Sequence, residues 1–118
     1  MATRAEILTY AARTHQTEPE HLWSRYPNYA VLRHRHNRKW YAVLMDVERR
    51  KLGLAGDGRV DIVNVKAPPE LAASLSAQPG FHRAYHMNGE HWLTILLDGT
   101  VPDGELFALI EGSFRLTE

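Results

Sequence analysis

Residues 39–47 read Lys-Trp-Tyr-Ala-Val-Leu-Met-Asp-Val. The run is rich in aromatic and β-branched side chains and apolar on both faces, so it predicts a strand. Upstream, Tyr29 to Arg35 opens on β-forming residues and predicts a second strand. His36-Asn37-Arg38 lies between the two as a turn, which makes a hairpin with a basic tip. Val60 to Lys66, preceded by the Gly56-Asp57-Gly58 turn, predicts a third strand. The connecting stretch 48–55 is ambiguous and is compatible with a short helical turn.

Helices flank this core. Thr3 and Glu6 have capping-box spacing, and Ile7, Leu8, Ala11 and Ala12 follow on one stripe, which predicts a helix from Thr3 to about Thr14. Pro68-Pro69 opens a short helix to about Ser76, because proline fits the first helical turn. Phe81 to Met87 and Trp92 to Leu97 predict two more strands around an Asn88-Gly89 turn. A last helix starts at Pro102, with Asp103 and Glu105 in its first turn and a core stripe of Leu106, Leu109, Ile110 and Ser113 or Phe114. The order is helix, three strands, helix, two strands, helix. It predicts a single domain over residues 1–118 of the α+β class, with a five-stranded antiparallel sheet and helices on one face. Leu93, Ile95 and Leu97 suit the helix-covered face. Trp92, Thr94 and Leu96 point the other way and are apolar enough to imply that this second face is covered or meets a partner.

The 118 residues contain no cysteine, which excludes disulfides, thiolate metal sites and cysteine nucleophiles. The first residues form no apolar leader, and the longest apolar run, Trp40 to Met45, is too short to span a bilayer. A soluble cytoplasmic chain without a membrane partner is the expectation. The net charge is zero but unevenly spread. Residues 21–51 carry eight Lys/Arg against two acids, a balance of +6, while residues 86–118 carry one Arg against six acids, a balance of −5. The first block attracts phosphate and the second repels it. Such a bipolar chain is expected as a monomer or a weak head-to-tail homodimer.

The basic hairpin carries the leading functional expectation. Arg33, Arg35, Arg38 and Lys39 place four cations around one turn, enough to meet three or four phosphates of a DNA backbone weakly and non-specifically, and Trp40 stands beside them to stack on a base. The alternative is a protein-interaction module using the exposed sheet face around Trp92. Tyr85, His86, Asn88 and His91 mark that region as a candidate pocket or partner surface. His86 and His91 are expected to hydrogen-bond backbone at a polar tip. His34-x-His36 has metal-like spacing on a strand, but its arginine neighbours repel a cation, so no metal and no cofactor are expected. Gly53, Gly56 and Gly58 lack a following helix and sit beside Asp57, which fails both nucleotide fingerprints. No serine sits in a nucleophile elbow, and the expectation is a binding domain, not an enzyme.

Nearly the whole chain resembles the MmcQ/YjbR family, most recognisably in its C-terminal half. The matching stretches are Pro79-Gly80, Ala84 to Asn88, His91-Trp92-Leu93-Thr94, and Leu97-Asp98-Gly99-Thr100-Val101-Pro102-Asp103. The close Ser113-Phe114-Arg115-Leu116-Thr117 and the strand Val60–Lys66 with its Pro-Glu-Leu helix also fit. The resemblance implies a two-layer, CyaY-like (frataxin-like) α+β fold, similar also to secretion chaperones, and a DNA-binding role through two wings. Here Gly89-Glu90 stands where the family often has lysine, which removes positive charge from the second wing and leaves most contacts to the hairpin. The first helix offers only Glu6, not the acidic ridge of an iron-binding frataxin.

Overall fold

The computed structural model describes residues 1–118. Helix α1 (Arg4–His15) is followed by strands β1 (Ala30–Arg33), β2 (Trp40–Glu48) and β3 (Arg59–Lys66), helix α2 (Pro69–Leu75), strands β4 (Phe81–Arg83) and β5 (Trp92–Leu96), and helix α3 (Asp103–Leu116). The sheet order is β1-β2-β3-β5-β4 and every neighbouring pair is antiparallel. The expected α+β architecture is therefore the observed one. No helix is long and apolar enough to cross a membrane.

The helices cover one face. Ile7 and Ala11 of α1, and Leu106 and Ile110 of α3, pack on Leu32, Leu44, Val63, Val65, Leu93 and Ile95, while Leu75 of α2 sits at the margin. Each fully buried Leu or Ile contributes roughly 1.5–3 kcal/mol. Ser113, on the stripe expected to face the core, ties α3 to the sheet. Its hydroxyl accepts from the Lys66 amide at 2.8 Å and donates to the Tyr41 carbonyl at 2.6 Å, bridging β2 and β3 where their ladder ends.

Several boundaries differ from the sequence reading. Thr3 caps α1 by accepting from the Glu6 amide at 3.2 Å, but the Glu6 carboxylate meets the Thr3 hydroxyl at 3.5 Å, so the capping box is half made. Strand β1 ends at Arg33, two residues early. Leu32 pairs with Ala42 and Arg33 with Trp40, which leaves Tyr41 as an extra residue in a bulge. The bulge turns the Tyr41 ring into the helix-side core, where its hydroxyl donates to Thr17 Oγ1 at 2.7 Å. Beyond it His34 leaves the ladder and is buried against the end of α3, its Nε2 at 2.9 Å from the Phe114 carbonyl. Residues 49–52 form the short helical turn that the sequence allowed, and left-handed Gly53 (φ 69°) ends it. Strand β4 also stops early, at Arg83 rather than Met87, for a reason that belongs to the site below.

Candidate functional site

The face of the sheet away from the helices is apolar but only partly covered. Val31, Val43, Met45, Val47, Val60, Ile62 and Leu96 form its floor, with Tyr29 and Leu52 laid across it. The open part is a cleft of about 700 Å³. Ligand pockets typically span ~300–1,000 Å³.

One wall comes from the loop before β1. Trp23, Tyr26 and Tyr29 recur every third residue, and two successive turns hold them. The Tyr26 amide donates to the Trp23 carbonyl at 3.1 Å, and the Tyr29 amide to the Tyr26 carbonyl at 3.0 Å. Tyr26 stacks on Tyr29 at 4.7 Å between ring centroids, and Trp23 meets Tyr29 and Trp40 edge-on at 5.7 and 6.0 Å. Two backbone hydrogen bonds between Glu20 and Val31 fasten the start of this loop to the edge of β1.

The opposite wall is Tyr85, His86 and Met87. A buried polar ladder holds it in place. Asn64 and Thr94 are cross-strand partners on β3 and β5, both fully buried, and the Thr94 hydroxyl donates to Asn64 Oδ1. Thr94 Oγ1 accepts from the Tyr85 amide at 2.9 Å, and Asn64 Nδ2 donates to the Tyr85 carbonyl at 3.1 Å. Side chains thus satisfy both backbone groups of Tyr85, which is why the strand does not continue past Arg83. His86 then adopts a left-handed backbone (φ 59°), a strained conformation for a residue other than glycine.

Charge rings the mouth. Arg59 donates to Asp46 through Nε at 3.1 Å and reaches the Asp46 carbonyl at 2.7 Å. Partial burial pushes the Asp46 carboxyl up, but hydrogen bonds from Asn28 and Arg59, with the Arg59 charge, outweigh it and hold the group below its ordinary value. Arg50 beside Glu48, at 2.6 Å, likewise holds that carboxyl down. Lys51 makes no ion pair, so its ammonium is the uncommitted charge at the cleft. No three His, Asp or Glu side chains converge on a point where a metal would sit.

The YjbR family profile matches residues 12–116. The chain belongs to the YjbR family. The uncharacterized protein YyaQ of Bacillus subtilis is 46% identical over 118 residues, all of both chains. The uncharacterized protein YjbR of Escherichia coli K12 is 33% identical over 76 residues, which are 64% of this chain and 56% of that one. A crystal structure from Pseudomonas syringae, 48% identical, superposes with a TM-score of 0.96 over 99% of this chain and 100% of its own. A Deinococcus radiodurans protein with a DUF419 domain shares the fold at a TM-score of 0.74 and 23% identity, over 98% of this chain and 78% of its own.

In this YjbR-family chain the structure divides the residues singled out in the sequence. Arg33 and Arg38 are not free. Arg33 Nε lies 2.7 Å from Glu20 Oε2, and Arg38 Nη2 lies 3.4 Å from Glu20 Oε1. Arg35 and Lys39 are exposed and unpaired, so two of the four hairpin cations remain available. Trp40 faces the cleft instead of the hairpin tip, with the Arg33 guanidinium 5.9 Å above its ring. His34 is buried and His36 exposed. Of the second group, only Tyr85 and His86 line the cleft. Asn88 organises the turn, accepting from the Glu90 amide at 2.9 Å. His86 and His91 make no side-chain hydrogen bond to backbone, contrary to expectation. Both rings are exposed, and His91 has only Glu90 within reach, at 3.9 Å. Trp23, Tyr26, Tyr29, Met45 and Met87 were not read as site residues. The three-residue spacing of the first three was the available signal.

Trp92 lies outside the cleft. Its ring is half-buried against the open-face floor, with Lys66 Nζ 6.0 Å from its centroid. Trp92→Ala should therefore cost about 2 kcal/mol, less than the ~3–5 kcal/mol of a fully buried ring, and leave cleft binding intact. A calorimetric melt and a binding assay on one sample check both halves.

Proposed function

We propose that this chain is a non-catalytic nucleic-acid-binding domain that takes a single strand, with a splayed base in the aromatic cleft and phosphates on the hairpin. The observation that carries the reading is the join between cleft and hairpin: Trp40 lines the one, while Arg33, its cross-strand neighbour, belongs to the other. Every base has a π-face, and stacking on an aromatic side chain contributes ~1–3 kcal/mol. A duplex hides those faces, so the cleft favours single strands over the duplex contacts that the basic hairpin alone implies.

Arg35, Lys39 and Lys51 are the cations left to meet phosphate. Each phosphate contact on a single strand contributes about −0.7 to the slope of log K against log salt, so a slope of roughly −2 is expected. Quenching of tryptophan fluorescence by oligothymidylate across a salt series measures it. Trp40→Ala should weaken binding by about tenfold or more, and Arg35→Ala with Lys39→Ala should flatten the slope by ~1.4. No binding at low salt, or a Trp40→Ala variant that binds like the parent, would sink the reading. Tyr26, which lines the cleft, and Leu22 in the same loop are 47% and 48% exposed, and they favour a protein partner as the second reading. That reading takes over if nucleic acid fails while Tyr26 proves necessary for a protein contact.

A further inference from the structure

We propose that Glu20 occupies a phosphate subsite, its carboxylate standing in the free protein where Arg33, Arg38 and Arg35 hold a ligand phosphate. The proposal rests on the nucleic-acid reading only for the source of that phosphate.

The three arginines line a groove of about 550 Å³ with Gln16, Thr17, Glu18 and Glu20. Glu20 divides its two oxygens between two of them, Oε2 to Arg33 and Oε1 to Arg38. A phosphate presents oxygens to a pair of guanidinium groups in the same way. Yet the carboxylate fits imperfectly. Arg33 Nε is near Glu20 but not aligned with it, and it is the one buried side-chain polar atom in the chain without a hydrogen-bond partner. Buried polar groups are nearly always satisfied, and a tetrahedral anion could offer this N–H an oxygen in line where the carboxylate does not. Arg38 adds a second irregularity. Its backbone is left-handed (φ 65°) at the hairpin tip, from which its side chain reaches Glu20. The Glu18 carboxylate lines the groove but pairs with none of the arginines.

Exchange needs no movement of the main chain. The Glu20 backbone is fastened to Val31 by hydrogen bonds of 3.0 and 2.9 Å, so only its side chain has to swing out. The hairpin of the free protein thus shows two cations, and it shows four once phosphate has replaced the carboxylate. Charged rivals that cannot displace Glu20 are held off, which adds selectivity for phosphate-dense ligands.

The test is Glu20→Gln, which keeps the shape and removes the charge. With oligothymidylate it should bind on the order of tenfold tighter at 50 mM salt, with a slope steeper by about 0.7, because one negative charge is removed from the site. Adding Arg33→Met should cancel the gain. Glu20→Asp, which retracts the carboxylate by one methylene, should fall between parent and Glu20→Gln, and it serves if the glutamine variant folds poorly. If Glu20→Gln binds no tighter while Trp40→Ala still loses affinity, the subsite is wrong and the nucleic-acid reading stands. If neither parent nor variant binds nucleic acid, inorganic pyrophosphate decides. Shifts of the Arg33 Hε resonance at about tenfold lower pyrophosphate in Glu20→Gln than in the parent uphold the subsite. Unchanged resonances overturn it.

Discussion

Asn64→Leu is expected to lower the melting temperature by roughly 10 °C and to weaken cleft binding about tenfold, although Asn64 touches no ligand. The side chain is fully buried in β3, and leucine matches it in shape. The loss is therefore one of hydrogen bonds. The Tyr85 carbonyl would lose the donor it meets at 3.1 Å, and the Thr94 hydroxyl would lose its acceptor. Each polar group left unsatisfied costs ~1–3 kcal/mol. For a domain near this size, 1 kcal/mol moves the midpoint by roughly 3–5 °C. The binding loss has a separate origin: with its carbonyl unheld, the Tyr85–Met87 wall is no longer fixed against the floor. Thr94→Val removes the neighbouring link, the 2.9 Å bond from the Tyr85 amide. Because both variants break one network, their costs should fall short of additivity in the double variant. A melting temperature within a few degrees of the parent for Asn64→Leu would show that the wall is held by packing alone.

That ladder also explains what the sequence could and could not reveal. The sheet was legible because its apolar runs are long and sharply bounded, as in 39–47 and 60–66. Helix α3 was legible because Leu106, Ile110 and Ser113 keep helical spacing, and all three are buried. The two strands that ended early were not legible, since each is cut by a contact distant in sequence. Strand β1 is cut by the bulge that sends Tyr41 to Thr17, and β4 by side chains of β3 and β5 capturing the Tyr85 backbone. The hairpin misled for the same reason. Four clustered cations are visible in a sequence, but Glu20, which pairs with two of them, lies thirteen residues before Arg33 and reaches it only through the bridge to Val31. The cleft was half legible. Tyr85, His86 and Trp40 stood out as candidates, but the aromatics at 23, 26 and 29 face them only because their loop folds back over the open face.

Acidification should loosen the fold at the end where α3 meets α1 and the hairpin, and the direction follows from two groups. Burial pushes the His34 pKa below the ordinary histidine value of 6.5; the Phe114 carbonyl opposes this, and neighbouring His36 adds to it. The folded protein thus takes up this proton later than the unfolded chain does. As pH falls below 6.5 the unfolded state gains protons first, and stability declines until the folded-state pKa is passed. Glu111 acts next. The Tyr10 hydroxyl chiefly, and His15 at 2.7 Å, hold its carboxyl below the ordinary 4.5 against the cost of burial. Its stabilisation is present above 4.5 and disappears as pH falls through the lower folded value. Burial first, and then Glu111, push the Tyr10 hydroxyl up to about 12, so the unfolded chain ionises first between pH 10 and 12 and stability falls there too. The melting temperature should form a plateau around neutral pH, with an acid limb in two steps and an alkaline limb above pH 10. His34→Gln keeps a hydrogen bond within reach of the Phe114 carbonyl but has no proton to gain. It should lower the plateau by about 1–2 kcal/mol and flatten the first acid step, leaving the second in place. Melts from pH 2 to 12 on both proteins make the comparison, with proton NMR of the histidine rings to follow each one separately. An unchanged first step in His34→Gln would assign that step to another histidine and leave His34 as a packing residue between Tyr41 and Phe114.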